Sequence, residues 1–286
     1  MEIRKVGVIG AGNIGVGAVT DLVMHGIATV VVDISTDILS RARDAVLHNV
    51  RTAPLLSKTL PKVTKEQALE RMTLTTNLKD VASCDFIIEN VTEDWELKES
   101  VYGQLDRAVP PHVCFGANTS CISITKIAGA TTRPENVIGI HLMNPVHLKP
   151  TVEVIRGFHT SDQTVATLLQ LFATLKKDAI IVQDLPGFVS NRISHLFMNE
   201  AAFVLQDSVA SAEQIDAIFK KCFGHKMGPL ETADLIGLDT VARSLDVLYD
   251  SFHDPKYRCC PLLRKLVDAG HLGRKSGKGF YAYPET

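Results

Sequence analysis

A glycine-rich turn near the start of the chain does most to limit what it can fold into. Val6-Gly7-Val8-Ile9 reads as a strand running into Gly10-Ala11-Gly12-Asn13-Ile14-Gly15. An amphipathic stretch follows from Ile14 to His25, and Asp33 closes the next apolar run, Ala28-Thr29-Val30-Val31-Val32. In this order of strand, turn, helix, strand and acid, each residue type has a physical task. Gly10 supplies the tight turn, Gly12 lets backbone approach a pyrophosphate, and Gly15 lets helix and strand pack closely. Asn13 and Ile14 open the helix, whose free N–H groups would face the phosphates. Asp33, about 20 residues beyond the turn, is placed to accept a ribose 2′-OH. The pattern predicts a dinucleotide site; the plainer alternative is a ligand-free glycine turn followed by a solvated strand-end acid.

The same alternation continues for two-thirds of the chain. Strands are predicted near Lys5–Ile9, Thr29–Asp33, Met72–Thr75, Phe86–Glu89, Cys114–Ala117, Val137–His141, Val152–Ile155 and Ala179–Val182. Helices are predicted over Asp37–Val50, capped by Ser35 or Thr36, over Trp95–Val109, and over Asp162–Leu175, opened by Ser161. Nearly unbroken Val/Ile strands alternating with helices argue a mostly parallel, doubly wound, Rossmann-type α/β sheet covered on both faces. Residues 49–72 break the rhythm and read as an inserted helical hairpin, with Thr64 capping its second arm; it either folds over a ligand or elaborates the surface. After Gln183-Asp184-Leu185-Pro186-Gly187 the pattern turns helical to the end. The expected division is a nucleotide-binding domain over residues 1–184 and an all-helical domain over 185–286, with substrate in the cleft between them.

Whole-chain properties exclude several function classes. With 286 residues there is room for two medium domains. A formal net charge of −2 without a block of like charges argues against a nucleic-acid surface or a polybasic membrane segment. The six cysteines form no CxxC pair and no metal-ligand spacing, so reduced thiols and no metal are expected. No apolar run reaches the ~18 residues of a membrane span. The expectation is a cytoplasmic protein, or a mature form whose targeting segment was removed.

Several strand ends carry polar clusters: Asn118-Thr119-Ser120, then His141-Leu142-Met143-Asn144-Pro145, with Glu153 in the following apolar run. A strand-end His can serve as general base, because its unperturbed pKa of about 6.5 lies near working pH. Taken singly, such a His is more often structural and a strand acid usually faces solvent. Together with Phe188-x-x-Asn191-Arg192, Met227-Gly228-Pro229, Gly237-Leu238-Asp239-Thr240 and Gly277-Lys278-Gly279-Phe280-Tyr281, these residues form an ordered set. Over essentially its full length the chain resembles the L-3-hydroxyacyl-CoA dehydrogenase family.

The resemblance implies an NAD-dependent enzyme that interconverts 3-hydroxyacyl and 3-oxoacyl thioesters. His141 would take the 3-hydroxyl proton, and Glu153 would orient and stabilise the imidazole. Ser120 and Asn191 would hydrogen-bond the reacting oxygens, and Asn144 would support His141 and the nicotinamide. Glu93 and Lys98 match family positions near the cofactor, as do Ser120 and Asn144. A homodimer through the helical domain is also implied. Asp33, with no Arg immediately beside it, predicts NAD over NADP.

The chain departs from the mitochondrial pattern at Leu142 and Met143, where aromatics are common, and at His147 and Lys149. It looks closer to a bacterial branch found beside polyketide synthases, acting on 3-hydroxyacyl groups such as glyceryl held on an acyl carrier protein. On that reading Arg51, Lys58, Lys62, Lys65 and Lys149 would meet the acidic carrier. The alternative is a coenzyme A-linked 3-hydroxybutyryl-type dehydrogenase of fatty-acid or butanoate metabolism. A crystallin-like structural member of the family gains no support, since His141 and Glu153 are both present. A β-hydroxyacid dehydrogenase with a catalytic lysine is disfavoured by the His141-x-x-Asn144 cluster and Glu153.

Overall fold

A computed structural model describes residues 3–284, and the chain divides into two compact units between Leu185 and Pro186. The first unit opens with β1 (Lys5–Ile9), α1 (Asn13–Met24) and β2 (Ala28–Val32). The inserted region follows as α2 (Thr36–Leu56) and α3 (Lys65–Glu70), then β3 (Met72–Thr75), β4 (Phe86–Glu89) and α4 (Trp95–Ala108). The unit is completed by β5 (Cys114–Asn118), α5 (Ile124–Gly129), β6 (Val137–His141), β7 (Thr151–Arg156), α6 (Asp162–Thr174) and β8 (Asp178–Gln183).

These strands form one sheet in the order β3-β2-β1-β4-β5-β6-β7-β8. All neighbouring pairs are parallel except β6 and β7, whose connection returns the chain antiparallel and sets His141 directly opposite Glu153. The chain order reverses direction between β1 and β4, the switch point at which doubly wound sheets open a crevice beyond the strand ends. Val6, Val8, Val31, Phe86, Ile88, Ile138, Ile140 and Val154 make the sheet's part of the core, and Val19, Leu22, Val46, Leu168 and Leu171 cover it from helices.

Local chemistry fixes the element ends. Ser35 accepts from Asp37 N at the start of α2, Ser161 from Thr164 N at α6, and Thr64 forms a reciprocal capping box with Gln67 at α3. The helix expected to stop at Val50 continues through Pro54 to Leu56. Pro54 stands in its last turn, and Val50 and Ala53 are buried, so packing carries the helix past the predicted end. The inserted hairpin is therefore a long helix, a loop and a six-residue helix.

The second unit holds α7 (Ser190–Gln206), α8 (Ala212–Cys222), α9 (Pro229–Ile236), α10 (Leu238–Phe252) and α11 (Pro261–Asp268). Met198, Ala202, Leu230, Leu238, Val241, Leu245, Cys260 and Leu263 form its own core. Two buried carboxylates organise it. Asp216 accepts from Leu230 N and Glu231 N at the start of α9, and Asp234 accepts from Phe280 N and Tyr281 N, docking the C-terminal segment. Among the described residues no helix is long and apolar enough to cross a membrane.

Candidate active site

The turn after β1 has the geometry that a dinucleotide needs. Gly10 sits at φ +89°, where a side chain would be strained, and a Cβ on Gly15 would fall 2.0 Å from Gly10 O. Gly12, by contrast, faces open space: nothing lies within 4 Å of where its Cβ would be. It also caps α1 without any side-chain hydrogen bond, and no acidic residue occupies the first turn. The N–H groups there, on Asn13 and Ile14 among others, stay available to an anion.

Asp33 is held by the same turn, accepting from Ala11 N at 2.7 Å through Oδ2 and from Ile34 N at 2.7 Å through Oδ1. A groove of ≈ 510 Å³ runs from Gly10, Gly12 and Asp33 past Ile34 and Ile38 to Asn90, Val91 and Thr92. Asn90, directly after β4, has both side-chain polar atoms buried without a protein partner. An orphaned amide beside the phosphate-binding turn fits a site that is completed by a polar ligand. The residues present thus fit NAD, with the turn at its phosphates and Asp33 at the ribose.

The ends of β5 and β6 and the first half of β7 bring the polar side chains together. His141 Nδ1 lies 2.8 Å from Glu153 Oε2, and both side chains are 9% exposed. An ionised carboxylate only accepts, so the shared proton sits on Nδ1 and the neutral ring keeps its lone pair on Nε2. That nitrogen lies 3.3 Å from Ser120 Oγ. Ser120 is set in turn by Glu93, whose Oε1 accepts from Thr119 Oγ1 at 2.5 Å, Ser120 N at 2.9 Å and Cys121 N at 3.0 Å. Asn118 Oδ1 accepts from Leu142 N at 3.1 Å, fastening the residue after His141 to the end of β5.

Lys98 is enclosed rather than open to a ligand. Fully buried, it donates to both oxygens of Glu89 at 2.8 Å and to Asn118 O at 2.9 Å, with Glu93 Oε2 at 4.0 Å. Burial pushes the Glu89 carboxyl above its usual range, against the pull of Lys98. The pair ties the end of β4, next to the groove, to the end of β5. Asn144 lies exposed in the loop after β6. Asn191 belongs to the helical unit, at the second position of α7.

Four residues of the site carry roles that the sequence pattern does not assign: Asn90, Asn118, Thr119 and Glu89. Asn118 and Thr119 were visible as polar residues at a strand end, and Asn90 as the residue after an apolar strand. Glu89 gave a contrary signal, because an acid in an apolar run reads as solvent-facing until its lysine partner is seen. His147 is 7% exposed and packed inside the loop, so this departure from the mitochondrial pattern is internal. Among the described residues no group of three or more His, Cys, Asp and Glu is arranged to hold a metal.

A buried His–Glu pair and a dinucleotide-shaped groove within one unit fit the working parts of a nicotinamide-dependent dehydrogenase. Comparison with known proteins narrows the class. The 3-hydroxyacyl-CoA dehydrogenase NAD-binding domain model matches residues 5–185, and the C-terminal domain model of that family matches residues 187–283. The chain belongs to the 3-hydroxyacyl-CoA dehydrogenase family and is an NAD-dependent oxidoreductase.

It is 42% identical over 281 residues to a 3-hydroxybutyryl-CoA dehydrogenase of Bradyrhizobium diazoefficiens, covering 98% of this chain and 96% of that protein. With a probable 3-hydroxybutyryl-CoA dehydrogenase of Deinococcus radiodurans it shares 43% over 279 residues, covering 98% and 100%. The crystal structure of (S)-3-hydroxybutyryl-CoA dehydrogenase from Ralstonia eutropha superposes with a TM-score of 0.94 at 41% identity, covering 99% of this chain and 100% of that one. These relatives are named for coenzyme A thioesters, so the carrier-protein branch expected from the sequence finds no support among them.

Proposed function

We propose that the chain interconverts a short 3-hydroxyacyl-CoA, of the 3-hydroxybutyryl class, and its 3-oxoacyl-CoA, with NAD as the redox partner. The observation that carries the chemistry is the arrangement of His141 Nδ1 on Glu153 at 2.8 Å with Nε2 turned toward Ser120 Oγ at 3.3 Å. Nε2 accepts the proton of the substrate 3-hydroxyl as the C3–H bond breaks. Glu153 keeps the ring in the required tautomer and stabilises the imidazolium that forms. Ser120 hydrogen-bonds the reacting oxygen, and Glu93 fixes the turn that presents Ser120. By the family resemblance, Asn191 adds a second hydrogen bond to that oxygen and Asn144 supports the ring and the nicotinamide. NAD, when bound, supplies the hydride acceptor at its nicotinamide; the protein's part is placement and proton management. In the reverse direction His141 returns the proton.

Coenzyme A is favoured as carrier because the relatives named above are coenzyme A enzymes. Matched coenzyme A, pantetheine and acyl-carrier-protein thioesters of 3-hydroxybutyrate test this directly. The proposal expects the highest kcat/KM on the coenzyme A thioester. It fails if the carrier-protein thioester is turned over far better, with a salt-sensitive rate that falls when Arg51 and Lys65 are reversed to Glu. Self-association of the helical unit is part of the same reading: Ile193, Val209 and Phe223 are 65%, 73% and 67% exposed there. A dimer by sedimentation is the expected result.

A further inference from the structure

Lys177 stands between α6 and β8 with its side chain 5% exposed. Its ammonium donates to Val146 O at 2.8 Å and to Lys149 O at 2.6 Å. Asp21 Oδ2, on α1, lies 2.9 Å away, an ion contact rather than an aligned hydrogen bond. Asp21 is itself 2% exposed, and His25 Nδ1 is 3.3 Å from its other oxygen. Burying an ammonium carries a desolvation penalty of several kcal/mol unless partners compensate. Here the partners are two carbonyls of one loop and one carboxylate of one helix.

That loop and that helix matter to the reaction. Residues 142–150 join β6 to β7, the strands that carry His141 and Glu153, and the loop contains Asn144. Val146 packs against α1 where Gly17 has no side chain; a Cβ there would fall 2.9 Å from Val146 Cβ. The other end of α1 is the phosphate-binding turn. We infer that Lys177, held by Asp21, is a positioning residue that fixes the Asn144 loop against the cofactor-binding helix. It touches none of the reacting groups and acts through Val146 and Lys149. A loop released at these two carbonyls leaves Asn144 free to shift, and a misplacement of about 1 Å can cost on the order of 10²-fold in rate.

The inference rests on the dehydrogenase reading only for the assay, and wild-type turnover serves as the control for that reading. Lys177→Met, Lys177→Arg, Asn144→Ala and the Lys177→Met/Asn144→Ala double variant are compared for kcat, KM and NAD binding. Amide hydrogen exchange of residues 142–150 is followed without cofactor. Lys177→Met should lower kcat about 10- to 100-fold while NAD affinity changes by less than about threefold. Lys177→Arg should restore most of the rate. The double variant should be scarcely slower than Asn144→Ala alone, because both act on the same contact. Exchange should quicken in residues 142–150 and not in the phosphate-binding turn.

An unchanged kcat in Lys177→Met overturns the inference. So do losses that multiply in the double variant, or exchange that quickens throughout the unit, since each marks Lys177 as a general stabiliser. If Lys177→Met does not fold, Asp21→Asn takes its place in the same cycle with the same expected non-additivity. If wild type turns over none of the thioesters, the exchange experiment still decides the loop's anchoring, and the functional reading fails separately.

Discussion

Replacing Glu153 by glutamine keeps the shape of the side chain and removes its charge. The carboxylate lies 2.8 Å from His141 Nδ1, and both side chains are 9% exposed, so solvent screens the pair only weakly. When the imidazolium forms, opposite unit charges centred about 4 Å apart interact by about 4 kcal/mol at an effective dielectric of about 20. A neutral amide retains roughly 1 kcal/mol as an ordinary hydrogen bond. The difference, about 3 kcal/mol, is realised only as the proton reaches Nε2, so kcat should fall by about 10²-fold. The amide can also donate to Nδ1, moving the ring proton to Nε2 and blocking the acceptor, which deepens the loss. NADH formation from 3-hydroxybutyryl-CoA measures kcat, and calorimetric titration measures NAD affinity, which should be nearly unchanged. A folded Glu153→Gln enzyme with kcat within about threefold of wild type would refute the reasoning.

Gly12 and Gly15 should separate binding from stability. Gly12→Ala adds a methyl into open space on the phosphate side, so Tm should hold while the Kd for NAD rises about tenfold or more. Gly15→Ala forces a Cβ to 2.0 Å from Gly10 O and should cost about 1–3 kcal/mol of stability, seen as a lower Tm without ligand. An Asp33 carboxylate at the ribose would accept a 2′-hydroxyl and repel a 2′-phosphate, so kcat/KM should favour NAD; equal or better values with NADP would count against that role. His147 is held below its ordinary pKa of 6.5 by burial and the neighbouring Lys177, with Asp21 opposing. Between its folded value and 6.5 the unfolded chain binds the proton and the folded chain does not. Stability is therefore complete above that pH and declines as pH falls through the window below it. His147→Asn should flatten this decline in denaturant titrations run at several pH values.

Much of the architecture was legible because it is written in short-range patterns. The strands at Lys5–Ile9, Met72–Thr75, Phe86–Glu89 and Val137–His141 stand where their apolar runs predict, and Ser161 and Thr64 cap the helices they precede. The end of α2 was misread because Pro54 and the buried Val50 and Ala53 work against each other, and packing decides. Short α5, six residues long, offered too little periodicity to be seen. The pairing of His141 with Glu153 is a property of sheet register, which β6 and β7 settle by running antiparallel. Glu89 with Lys98, and Asp21 with Lys177, join residues whose partners are set by strand order and loop path. A charged residue in an apolar run announces neither its burial nor its counter-ion.

The central claim is that His141, held by Glu153, is the proton acceptor of an NAD-dependent 3-hydroxyacyl-CoA dehydrogenase. The most direct measurement is NADH absorbance with 3-hydroxybutyryl-CoA and NAD, for wild type and for His141→Gln, with NAD binding titrated in parallel. Wild type should form NADH, and the variant should bind NAD normally while its kcat drops by about 10²- to 10⁴-fold, the usual contribution of a general base. No NADH from wild type, or a folded variant that turns over at close to the wild-type rate, would contradict it.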